Sequence, residues 1–184
     1  FRSAAFGYFG HMWELYAFWA FVPIMLGFYS KINPGINIDV GLYSFLIIGI
    51  GSISCAVGGN WSLKIGSKKV ATLSLVASGL CCLLSPFIFR LPFFVFILIL
   101  VTWGIFVVSD SPQFSTLVAE SADRSFVATG LTIVNSIGFA ITILSIQLVN
   151  ILWASLESTW IFLIFAIGPV LGVWAISRYQ KNPQ

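Results

Sequence analysis

The opening stretch, Phe1–Tyr29, reads FRSAAFGYFGHMWELYAFWAFVPIMLGFY. It is apolar for longer than the roughly 20 residues a helix needs to cross a hydrocarbon core about 30 Å thick. Yet it holds the only histidine of the chain, His11, and three residues later an acid, Glu14. A helix rises about 1.5 Å per residue, so from an aqueous start near Ala4 the Glu14 carboxyl falls near the bilayer midplane and His11 about one turn closer to that start. Neither side chain is long enough to reach water from there. An ionisable group at this depth costs at least about 2 to 3 kcal/mol and by default signals a cavity, a partner or a function. Three residues apart, His11 and Glu14 can share one helix face. Two readings stay open for them: a structural hydrogen bond pinning two helices, or a proton relay whose protonation responds to solvent access. Trp13, Tyr16 and Trp19 are packing or lumen-lining aromatics.

Working outward, the whole chain shares this character. Hydrophobic residues make up 59% and charged residues 8%, with a mean hydropathy of +1.01, which is outside the range of soluble domains and predicts an integral membrane protein. Spans are expected at 4–29, 40–60, 70–89, 92–118, 126–152 and 159–178. These use up most of the 184 residues, so 1–184 is read as one all-α, polytopic six-helix bundle in contact with the lipid bilayer. The chain begins at Phe1 without the short apolar region and cleavage site of a signal peptide, and is expected to continue upstream. Seven basic residues (Arg2, Lys64, Lys68, Lys69, Arg124, Arg178, Lys181) fall on one side of this layout and two (Lys31, Arg90) on the other. The positive-inside rule then puts both ends of the segment in the cytoplasm. On that side the sequon Asn60-Trp61-Ser62 escapes glycosylation.

The chemistry of other classes is thinly represented. Cys55, Cys81 and Cys82 lie inside expected helices without ligand spacing and read as packing residues. A single histidine with scattered carboxylates gives no metal cluster, and no G-x-S-x-G elbow is present. The few basic residues are accounted for by topology. An enzyme, a cofactor and a nucleic-acid partner are therefore not expected.

Three further stretches matter. Gly49, Gly51, Ser52, Ser54, Ala56, Gly58 and Gly59 crowd the second span and predict a close helix crossing. In the fourth span, Ser109-Asp110-Ser111-Pro112-Gln113-Phe114 admits two readings. Either the helix runs on to about Val118, with Asp110 and Gln113 on one face, or it stops at Ser109 and they cap it. In the fifth, Thr132, Asn135, Thr142 and Ser145 with Gly138 trace a polar stripe, suited equally to interhelical hydrogen bonds and to lining a pathway.

The run Gly59-Asn60-Trp61-Ser62-Leu63-Lys64-Ile65-Gly66-Ser67-Lys68-Lys69 resembles the major facilitator superfamily signature G-x-x-x-D-R-x-G-R-K. Gly59, Gly66 and Lys68 match, Lys64 replaces arginine, and Leu63 stands where the aspartate would be. Gly104 and Pro112, then Ala122-Asp123-Arg124 and Gly130, are similar to a second pattern of the same family, and GHMWELYAFW and DSPQFSTLVAE look like a bacterial subgroup. The resemblance covers essentially all 184 residues. It implies the carboxy-terminal half of a twelve-helix transporter built from inverted three-helix repeats, with a missing amino-terminal six-helix half as partner. It favours the longer fourth span, a cytoplasmic gating loop at Gly59, Lys64, Gly66 and Lys68, and a bacterial inner-membrane location. It implies a cavity to which Glu14, His11, Trp103, Asp110, Gln113 and Asn135 contribute, and which takes a small-molecule substrate with a proton or other coupling ion. The function so implied is secondary transport by alternating access. The alternative is a self-contained six-helix carrier or channel subunit acting as a homodimer.

Overall fold

The computed structural model describes residues 1–179, which are helical throughout apart from short connections. Lys181 lies outside the described residues. Among the described residues, six helical spans are long and apolar enough to cross a membrane: Arg2–Ile32, Val40–Ile65, Ser67–Ile88, Phe93–Ser121, Arg124–Leu156 and Thr159–Ser177. We label the helices α1 (Arg2–Ile32), α2 (Val40–Ile65), α3 (Ser67–Ile88), α4 (Phe93–Ser109), α5 (Ser111–Ser121), α6 (Val127–Leu156) and α7 (Ile167–Ser177). The last span begins as a 3-10 segment, Thr159–Ala166.

Local chemistry sets the ends. Beyond α1 the Asn33 amide donates to the carbonyls of Tyr29 and Phe89, and Pro34-Gly35 turns the chain. The Asp39 carboxylate accepts from the Leu42 amide and caps α2. Before α6, the exposed Asp123 accepts from the amide and hydroxyl of Ser125, and these bonds hold its carboxyl below the usual range.

Two expectations need correction. The stretch expected as a gating loop is almost wholly helical, since α2 runs through Gly59 and Lys64 to Ile65 and α3 starts at Ser67 with Lys68 in its first turn. Gly66 alone separates them, at φ 89°, a conformation that favours glycine. Hydropathy marks where the membrane ends, whereas lysine is a good helix former and carries the helix past that point. The fourth span satisfies neither simple alternative. It reaches Ser121 but breaks at Asp110, because Pro112 lacks the amide hydrogen that would bond the Val108 carbonyl and its ring crowds that turn.

α1 and α3 occupy the middle of the bundle. They touch nearly every other helix, and the first, third, fourth and last spans are about half buried, whereas α2 and α6 are covered over less than a quarter of theirs and form the periphery. In lipid, helices associate by close packing, and small residues permit it. A Cβ on Gly10 of α1 would collide with the backbone at Gly168 and Gly172 of α7, a small-x-x-x-small pair in Gly168-Pro169-Val170-Leu171-Gly172. The crowded small residues of α2 divide: Gly51 and Gly58 press against Val108 and Ser109, while Gly49 and Gly59 face open space. The Lys68 ammonium donates to the Tyr179 carbonyl at 2.8 Å at one end of the bundle, and Lys31 pairs with Glu157 at the other.

Candidate functional site

Buried polar groups gather where α1 faces α3 and the α4–α5 break. Glu14 is 1% exposed. Its Oε1 accepts from the Trp103 indole N–H of α4 at 2.7 Å and from the Cys82 thiol of α3 at 3.1 Å. Its Oε2 lies 2.9 Å from the Ser78 hydroxyl, one turn earlier on α3. Trp103 is itself fixed by stacking on Phe18, ring centroids 4.6 Å apart. Both carboxyl oxygens are thus met by neutral groups, with no cation among them.

One turn along α1, His11 turns away from Glu14 and toward the fourth span. Its Nδ1 is 2.9 Å from Oδ1 of Asp110, and both side chains are 1% exposed. The two atoms are in close contact, although the geometry is not that of a well-aligned hydrogen bond. The helix break is what turns Asp110 inward, at the junction where α4 stops and the amides of Gln113 and Phe114 both return to the Asp110 carbonyl. Phe114 and Tyr8 flank the imidazole, each with its ring centroid 5.9 Å away. Gln113 is equally buried, and its Nε2, like His11 Nε2 and Asp110 Oδ2, meets no protein partner among the described residues. Between the two acids a hydrogen bond from Ser74 to Ser109, 3.1 Å, ties α3 to the end of α4. Asp110 is near enough to Glu14 to interact with it electrostatically.

Glu14, His11, Trp103, Asp110 and Gln113 therefore share one buried region. Asn135 does not join them. It is half-buried on α6, and the hydrogen bonds that reach Glu14 come from α3 and α4. The polar stripe of α6 resolves mostly into packing against α1: Thr142 donates to the Met12 carbonyl, Gly138 abuts Tyr8 and Met12, and Thr132 is exposed. His11 and Glu14 share a helix but not a hydrogen bond, having separate partners. Of the residues expected in the gating loop, Lys68 bonds the Tyr179 carbonyl, and Gly59 and Lys64 are exposed or half-buried on α2.

Ser78 and Cys82 went unnoticed in the sequence as ligands of the acid, and Cys82 does more than pack. A signal was present: Ser74, Ser78, Cys82 and Ser85 recur every three or four residues in an otherwise aliphatic span, one small polar stripe on one face. No protein-family model matches the chain, and no curated protein shows significant similarity to it.

Proposed function

We infer that the chain is the carboxy-terminal half of a proton-coupled secondary transporter of the major facilitator type, which moves a small solute by alternating access. The observation that carries this reading is Glu14, an acid enclosed by apolar helices and met only by neutral donors. A buried carboxylate without a counter-cation is expensive, and an apolar residue of similar size would pack there at lower cost. Retaining an acid makes physical sense where its charge must come and go. Asp110, paired with His11 at an irregular turn inside a span, is the second acid of the pathway. Broken helices in transporters are tolerated where they serve a binding or coupling site.

On this reading the proton-handling groups sit inside the half, and the solute lies between it and the amino-terminal half, near the midplane. The sparsely covered helices α2 and α6 offer surface to that second half. The clustering of Arg2, Lys64, Lys68, Lys69, Arg124 and Arg178 supports a cytoplasmic placement of both described ends, and the resemblance to a bacterial subgroup supports an inner-membrane location. The chain is a carrier and not an enzyme.

The test uses the full-length protein in liposomes containing a pH-sensitive dye, screened against solute mixtures for gradient-driven proton movement. Glu14→Gln is expected to abolish solute-dependent proton flux while the protein keeps its size-exclusion profile. Unchanged coupling in that variant removes Glu14 from the mechanism.

A further inference from the structure

The two oxygens of Glu14 are not equivalent. Oε1 faces the indole N–H of Trp103, which can only donate, and the thiol of Cys82, which donates to it. An oxygen receiving two donors has no place for a proton of its own. Oε2 faces the Ser78 hydroxyl at 2.9 Å, and a hydroxyl both donates and accepts. Ser78 Oγ has a second acceptor in reach, the Leu75 carbonyl at 3.3 Å, one turn back on the same helix. Its single hydrogen cannot serve both oxygens at once.

We propose that Ser78 is the positioning residue that lets Glu14 exist in two protonation states in one heavy-atom arrangement, with the proton carried on Oε2. In the charged state the Ser78 O–H donates to Oε2. In the neutral state one proton, delivered from water, bonds to Oε2. The new O–H donates to Ser78 Oγ, and the serine hydrogen turns to the Leu75 carbonyl. One proton is added, the carboxylate loses its charge, one hydrogen bond reverses direction, and Oε1 keeps both of its donors. Such reversal needs no repacking, which suits a site whose side chains are 0–1% exposed at Glu14, Ser78, Cys82 and Trp103. The other ionisable groups facing Glu14 are Cys81 and Cys82 of α3 and Asp110 at the α4–α5 break; His11, one turn away on α1, faces Asp110 instead. The inference rests on the coupling role given above to Glu14.

Infrared difference spectra of the full-length protein in lipid nanodiscs, recorded against pH, read both sides of the switch. A carboxylic C=O band absent from Glu14→Gln reports the proton. The S–H stretch of Cys82, identified by its loss in Cys82→Ala, reports the Oε1 side and is expected to shift in the same titration. Ser78→Ala removes a hydrogen bond from both states, the stronger one from the charged state, and is expected to move the C=O band and raise the midpoint by the difference between the two, about half a pH unit to one unit. Ser78→Thr, which keeps the hydroxyl, is expected to restore both. An unchanged band and midpoint in Ser78→Ala, or no Glu14-dependent C=O band wherever the protein stays folded, overturns the proposal. Proton flux on the same variants separates the two readings. A switch intact in the spectra with coupling unaffected by Glu14→Gln refutes the transport role alone, and coupling lost in Glu14→Gln with spectra indifferent to Ser78 refutes the switch alone.

Discussion

Trp103 illustrates how one residue can serve packing and polarity together. Its ring stacks on Phe18 and its N–H bonds Glu14, and the two contributions separate by substitution. Trp103→Phe keeps most of the stack and removes the donor, and is expected to lower stability by about 1 to 3 kcal/mol in denaturant unfolding in detergent. Glu14→Leu removes the acid itself, so in the double variant the Trp103→Phe penalty should largely vanish; full additivity would show that the hydrogen bond contributes nothing. At this scale the sequence exposed the acid, because one carboxylate in an apolar run stands out in any hydropathy reading. It concealed the ligands, because serine, cysteine and tryptophan are ordinary membrane-helix residues whose role depends on what they face.

Among elements, the broken fourth span and the α1–α7 crossing decide the geometry. Pro112 cannot supply the helical amide bond to the Val108 carbonyl, which instead accepts from the Asp110 amide, and at this turn the Asp110 side chain meets His11. Pro112→Ala restores the amide and is expected to join α4 and α5 into one helix, carrying Asp110 away from His11. A change in spin-label distance between the exposed positions 98 and 116, measured in nanodiscs, checks this, and an unchanged distance refutes proline as the cause. At the crossing, Gly10→Leu forces backbones apart and should abolish a monodisperse folded peak, whereas Gly49→Ala, facing open space inside α2, should leave stability unchanged or raise it by up to about 1 kcal/mol. Glycine counts alone do not distinguish these positions, since the two residues differ only in what lies opposite.

For the molecule as a whole, alternating spans gather Lys68 and Tyr179 at one end, Lys31 and Glu157 at the other. Single cysteines introduced at Lys64 and Lys31 are expected to react with impermeant thiol reagents from opposite sides, the former from the cytoplasm; labelling of both from one side would dismantle the arrangement. The Lys31–Glu157 pair is 62% and 55% exposed, so Lys31→Ala should cost no more than about 1 kcal/mol in thermal unfolding, and less at high salt. The amino-acid sequence by itself determined that there are six spans, where they lie within a few residues and which charges share an end, because transfer into hydrocarbon and charge placement are properties of each segment alone. Only the tertiary structure decided that Glu14 bonds Ser78, Cys82 and Trp103, which stand 64, 68 and 89 residues away, and that His11 meets Asp110 instead. Those partnerships arise where backbones approach closely and where a proline interrupts a helix, and the rotation of one helix against another is set by packing shared among all of them.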